Sequence, residues 1–314
     1  MVPAAEILEQ SQAGDGAAIA PTPAYDDLSR EVLGEIARER GIDCATRLLF
    51  DSVRTHPRHR AFIEAVDSAA APERCPASAE LPRLVVAPGA LYREQPRFGS
   101  DGRVVRAAAA ELGWHSRVIP VKSMGSVTGN AEMIAGELAR EERPVVLASV
   151  SKGGSDVRMA LERHPEIAGR ISCWLNICGL IRGTPISDTL LGTGWWQRGL
   201  MKGYLAYTRA APEFVRQMRS GPGTLLAEPM DPAIARRVRI INVVAFPVRE
   251  HLTGSLGKRH SRMAHLGPND GTALLRDEIV DPGIIYPVWD TDHFMRRPDL
   301  PAVMRRILIH AEAA

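Results

Sequence analysis

Charge of one sign is what this chain most plainly lacks. Its 39 basic residues stand against 37 acidic ones, leaving a net charge of +2 over 314 residues. No lysine/arginine stripe interleaved with aromatics is present, so a nucleic-acid face is not expected. Cysteine is scarce. Cys44, Cys75, Cys173 and Cys178 are scattered, no CxxC occurs, and the 173/178 spacing fits no common zinc pattern. Reduced, mostly buried thiols are expected, with no metal and no cofactor. No apolar run approaches the roughly 18 residues of a membrane span. The opening "MVPAAEILEQSQAGDGAAIA" has no basic start followed by an apolar core, so a secretory signal is not expected and a cytoplasmic location is. No internal repeat is visible.

What is present is a rhythm. An apolar fraction of 45% supports a sizeable core. Residues 1–25, rich in Ala, Pro, Gly and Gln, read as a disordered arm. Residues 26–80 read as a helical preface built from "YDDLSREVLGEIARERG", "CATRLLFDSVRT" and "RAFIEAVDSAA". Asp27 or Ser29 caps the first helix and Gly41 stops it. From residue 81 onward short apolar runs alternate with amphipathic segments. "RLVVAP", "SRVIPV", "PVVLASV", "ISCWLNIC", "VRIINVVAF" and "GIIYPVW" read as strands, with helices between the first four. That alternation predicts an α/β fold with a mostly parallel sheet flanked by helices. An insertion over about 187–232 reads as helical and carries Trp195, Trp196 and Tyr204.

The chemistry centres on "VVLASVSKGGSDVRMAL". An apolar strand runs into Ser149-Val150-Ser151, and a helix restarts after Lys152 and two glycines. Such a turn can lift a serine hydroxyl into a cleft, or it can be an inert tight turn. A serine needs a base, and the base an orienting acid. His293 in "YPVWDTDHFMRRPD", just past the last strand, is the candidate base; His310 is expected at the surface. Asp270 in "LGPNDGTALL" is the first candidate acid and Glu250 the second. Asp290 and Asp292 suit capping better, and His265 suits a loop surface. His56 and His59 have no metal-like partner cluster. An oxyanion needs backbone donors, and the N–H groups of Lys152 and of Ala90 or Leu91 are in position to supply them. The Lys152 side chain is expected in solvent or at the substrate's edge.

These phrases resemble the α/β-hydrolase superfamily, within it the serine esterases and lipases, over roughly residues 81–311. "S-V-S-K-G-G" is similar to the Gly-x-Ser-x-Gly elbow, departing from it at Ser149. "GLIRGTPISD" is similar to the family's post-strand segment, "PNDG" to its acid loop and "DTDHF" to its histidine loop. The family's usual antiparallel strands before the first parallel strand are not visible; helices stand there. The resemblance implies the α/β-hydrolase fold over 81–314, with the insertion as a helical cap. It further implies a serine hydrolase acting on a carboxylic ester or thioester through Ser151, Asp270 and His293. Trp195, Trp196 and Tyr204 are then expected to bind substrate. Two alternatives remain at this level: an acyltransferase or cyclase using the same three residues, and a catalytically idle ligand-binding protein on the same fold.

Overall fold

A computed structural model describes residues 23–69, 82–192, 194–208 and 210–312; within the insertion and at His251 some side chains lie outside the described residues. Six strands were expected and six are found: β1 (Arg83–Ala87), β2 (His115–Val118), β3 (Val145–Val150), β4 (Ile171–Ile177), β5 (Arg239–Phe246) and β6 (Ile284–Trp289). They form one sheet in the order β2-β1-β3-β4-β5-β6. Every neighbouring pair is parallel. β1, β3, β4, β5 and β6 are mostly buried and apolar, because a parallel sheet is covered on both faces, while the edge strand β2 (His-Ser-Arg-Val) is partly exposed.

Three helices precede the sheet: α1 (Arg30–Arg40), α2 (Ile42–Thr55) and α3 (Pro57–Ser68). Ser29 caps α1, its side chain accepting from the Val32 N–H at 3.3 Å, and Gly41 ends it at φ 90°. Pro57 opens α3, where its missing N–H costs nothing. Leu33, Ile36, Leu49, Val53, Ile63 and Val66 are fully buried in one cluster with Val243, Ala245, Ile285 and Val288 of the sheet. Phe50 sets its ring 4.7 Å from Trp289 and 5.4 Å from Phe246. The preface therefore shares the sheet's core. Each such buried side chain contributes about 1.5–3 kcal/mol.

The same face is completed by α4 (Arg103–Glu111) and the last helix. The opposite face is covered by α5 (Val127–Ala139) and α6 (Lys152–Arg163). The insertion is helical as expected: α7 (Pro185–Leu190), α8 (Trp195–Thr208), α9 (Pro212–Gln217) and α10 (Pro232–Ala235). Phe214, Met218, Leu226 and Met230 tie it into the core of this second face. After β5 come α11 (Gly254–Met263) and, past β6, α12 (Leu300–Glu312). Among the described residues no helix is long and apolar enough to cross a membrane.

Candidate active site

Ligands of an open parallel sheet gather beyond the carboxyl ends of its strands. Backbone strain gathers there too. Among the described residues, five non-glycine positions have positive φ: Leu91, Ser151, Cys178, Asp290 and Met295. All five follow the ends of β1, β3, β4 or β6 within a few residues. A conformation of this kind costs on the order of 1–3 kcal/mol and persists only where its surroundings enforce it.

Ser151 has φ 52° and ψ −120° and turns β3 directly into α6. The two glycines of the elbow are required by close approach. A Cβ at Gly153 would lie 2.2 Å from the Ala87 carbonyl oxygen, and one at Gly154 would lie 2.7 Å from Gly179 Cα. Ser149 stands where a third glycine is usual, and its hydroxyl has other work. It accepts from the Trp174 indole N–H at 2.8 Å and donates to Asn176 Oδ1 at 3.2 Å.

The acid loop is equally constrained. Asp270 is fully buried, and its Oδ1 accepts from the N–H groups of Thr272 (2.8 Å) and Ala273 (2.9 Å). His260 holds the preceding residue, its Nδ1–H donating to the Asn269 carbonyl at 2.9 Å. The other Asp270 oxygen meets His293 Nδ1, and His293 Nε2 lies 2.9 Å from Ser151 Oγ. Carboxylate, imidazole and hydroxyl thus form one hydrogen-bonded chain across the strand ends. Burial alone would raise the Asp270 carboxyl. The charge and hydrogen bond of His293 outweigh it, helped by a side-chain contact to Glu278 and by the Ala273 amide, and hold it below the usual value.

The alternative acids are elsewhere. Glu250 is exposed on a short turn at Arg249–His251. Asp292 accepts from the Phe294 N–H at 2.9 Å and pairs with Arg296, so it stabilises the turn after His293. Asp290 receives no contact from the imidazole, whose two nitrogens are taken by Asp270 and Ser151. His265 is exposed, as expected. His310 is half-buried beside Phe62, at a ring distance of 6.3 Å. His59 is buried, its Nδ1 accepting from the Ile285 N–H at 3.2 Å.

Among the described residues, the N–H groups of Lys152, Ala90 and Leu91 donate to no backbone acceptor in a turn, loop or cap. The turn carrying the last two abuts the elbow: a Cβ at Gly89 would lie 3.1 Å from Ser151 Cβ, and the Gly89 N–H is already given to the Ser100 carbonyl at 2.7 Å. The expectation for the Lys152 side chain fails. It is 1% exposed, and its Nζ lies 2.6 Å from both oxygens of Asp156, which also accepts from Asn130 Nδ2 at 2.8 Å. The four-residue spacing on α6 puts the two charges on one helix face, and that face turns into the protein. Burial pulls the lysine down and pushes the aspartic acid up, each opposed by its partner.

Cys178 Sγ, Asp270 and His293 bring candidate ligand atoms within 4.8 Å of one another. Burial, then the charges of Glu278 and Asp270, push the thiol well up, so it stays neutral. With the imidazole already bonded on both sides, this cluster is the underside of the hydrogen-bonded chain and a poor metal site.

Ser151 and His293 open into a cavity of about 410 Å³. Its apolar wall includes Phe98, Val104, Ile177, Phe294, Met295 and Leu300. Phe98 and Phe294 stack at 4.9 Å. These residues come from the loop after β1, the start of α4, the end of β4 and the segment after His293. None of the insertion's described residues lines this cavity. The side chains of Trp195, Trp196 and Tyr204 lie outside the described residues, though their backbone is helical in α8.

No family model matches the chain, and no curated protein matches it. Solved structures do. The metagenomic carboxyl esterase MGS0156 is 20% identical, with 99% of each chain covered and a TM-score of 0.59. The Bacillus licheniformis lipase BlEst2 in its propeptide form is 18% identical over 72% of this chain and 49% of that one, with a TM-score of 0.56. At such identities the likeness speaks to the fold alone.

Proposed function

We propose that this chain, which has the α/β-hydrolase fold, is a serine hydrolase that cleaves a carboxylic ester or thioester through an acyl-enzyme. The observation that carries the reading is the unbroken hydrogen-bonded run Asp270–His293–Ser151. Ser151 Oγ attacks the carbonyl carbon while His293 Nε2 takes its proton. Asp270, held by two backbone amides, keeps the imidazole in the tautomer with the proton on Nδ1 and stabilises the imidazolium. The uncommitted N–H groups of Lys152 and of Ala90 or Leu91 receive the oxyanion. His293 returns the proton to the departing alcohol or thiol, and water then releases the acyl group by the same steps. This scheme calls on no cofactor.

The esterase and lipase names of the structural neighbours agree with this reading. The cavity beside Ser151 has an apolar side that suits an acyl chain of modest length, and Arg97, Arg103, Arg296 and Arg297 also line it. The helical insertion over 187–232 is proposed as a cap over the same strand ends. The test is turnover of p-nitrophenyl esters and of an acyl thioester, graded from acetyl to octanoyl. Turnover that is lost in Ser151→Ala supports the reading. Failure on every acyl ester and thioester, in a folded protein, contradicts it.

A further inference from the structure

Two adjacent acids follow the candidate acid loop, and they meet opposite environments. Asp277 is buried between two arginines, Arg30 of α1 at 3.0 Å and Arg182 at 3.5 Å. Glu278 is equally buried, at 0% exposure, and no N–H or O–H of the described residues reaches either of its carboxyl oxygens. The side chain it faces is that of Asp270. Two carboxylates are both acceptors, so a bond between them requires a proton on one. Asp270 already accepts three hydrogen bonds, two from backbone amides and one from His293, and is the better anion. The proton therefore belongs to Glu278.

The backbone of Glu278 is fixed in place by a polar ladder that begins at the elbow. Ser149 bonds Asn176, whose Nδ2 donates to the Glu278 carbonyl at 2.8 Å and to Asn242 Oδ1 at 3.0 Å. Asn242 in turn binds Val280 in both directions, at 3.0 and 3.1 Å. The same strand ends thus hold the serine turn and the second acid in one register.

We propose that Glu278 is a positioning residue for the site: a neutral carboxylic acid that donates its proton to Asp270, holds that carboxylate in the rotamer that orients His293, and tempers its charge. The inference rests on the serine-hydrolase reading above. Glu278 is aimed at by burial first and then by the negative charges of Asp270 and Asp277, all of which raise its carboxyl well above the ordinary range. The other titratable neighbours are the neutral Cys178 thiol and, through Asp270, His293. Among the described residues no cation acts on Glu278, and the nearby Arg30 and Arg182 pair with Asp277.

Glu278→Gln keeps the shape of the protonated acid and an N–H donor for Asp270. Glu278→Leu keeps the volume and removes the donor. In the full-length protein, Glu278→Gln is expected to keep kcat within about threefold. Glu278→Leu is expected to lower kcat by about ten- to a hundredfold with KM little changed. It should also move the acid limb of the kcat profile to higher pH, since an untempered Asp270 stabilises the imidazolium more. Two readouts do not depend on catalysis. The infrared carbonyl band of a protonated carboxyl should be present in the wild type near neutral pH and missing in Glu278→Gln. The unfolded chain ionises Glu278 at ordinary carboxylate pH while the folded chain does not, so wild-type stability falls as pH rises through that window. The Tm advantage of Glu278→Gln should therefore grow with pH. Identical kcat–pH profiles for all three proteins overturn the proposal. So does a Glu278→Gln variant that folds but loses as much activity as Glu278→Leu, or a wild type without the band. If Glu278→Leu does not fold, the band and the Glu278→Gln profile decide. Full activity in Ser151→Ala would instead sink the hydrolase reading and leave the band as evidence for the Glu278 proton.

Discussion

Two fully buried pairs of ionisable side chains flank the serine and the histidine, and they solve burial differently. On the elbow side Lys152 and Asp156 have opposite signs and meet at 2.6 Å. On the acid-loop side Asp270 and Glu278 have the same potential sign, and among the described residues no lysine or arginine acts on Glu278. The first pair cancels its charge by contact. The second can exist only by keeping a proton, which leaves one net negative charge next to the imidazole. A buried charge of that kind is costly unless it is hydrogen-bonded, and two backbone amides and His293 hold it on Asp270. The comparison assigns the Lys152–Asp156 pair to architecture, anchoring the first turn of α6, and the Asp270–Glu278 pair to chemistry.

The largest expected effect falls on the second pair. Asp270→Asn should lower turnover by about 10⁴ by favouring the wrong imidazole tautomer, while Glu250→Gln should change it little. Steady-state kinetics of the two purified variants checks this. A large loss in Glu250→Gln with little in Asp270→Asn would break the comparison.

Next comes the elbow pair. Removing one partner, as in Lys152→Met or Asp156→Leu, leaves an uncompensated buried group and should cost about 3–5 kcal/mol of stability. The double variant Lys152→Met/Asp156→Leu should recover most of that loss. Denaturant unfolding of the three variants gives the coupling. If the double variant refolds fully but loses turnover far beyond the change in stability, the pair is part of the chemistry after all.

Much of this was legible in the residues. Five of the six apolar runs became buried strands because a sheet covered on both faces favours apolar side chains on each, while "SRVIPV" gave only the partly exposed edge strand His115–Val118. "SVSKGG" and "PNDG" could be read because both are backbone constraints: a turn too tight for a side chain, and a short carboxylate between turn residues. Lys152 was misread because its neighbour in the chain, Ser151, faces the cavity. One step along a helix changes the face, and the partner four residues on was the available sign. Glu278 carries no motif; in "LLRDEIV" nothing separates it from Asp277, and only the tertiary positions of Arg30, Arg182 and Asp270 do so. The cavity wall escaped for a similar reason. Phe98, Phe294 and Met295 lie in two loops about 200 residues apart, whereas the insertion advertises its aromatics in one stretch.

A smaller effect concerns the preface. Burial, with His56 and Arg58 nearby, lowers His59 to about 3. The unfolded chain takes up a proton near the ordinary value of about 6.5 that the folded chain refuses, so stability should fall as pH drops from there towards 3. His59→Asn, which can still accept from Ile285, should flatten that slope in Tm measured against pH. An unchanged slope would assign the acid sensitivity to other groups. Smallest is the cavity wall. Phe98→Ala should raise KM for octanoyl esters by up to about tenfold and hardly affect acetyl esters, since each lost methylene contact is worth about 0.8 kcal/mol at most. Equal changes for both chain lengths would place the acyl group elsewhere.

The central claim is that Ser151 is a nucleophile activated through His293 by Asp270, and covalent labelling tests it most directly. A fluorophosphonate probe should add one adduct to the intact protein, and peptide mass analysis should place it on Ser151. The adduct should be absent in Ser151→Ala and form far more slowly in Asp270→Asn. Undiminished labelling of Ser151→Ala, or an adduct mapped to another residue, would contradict the account.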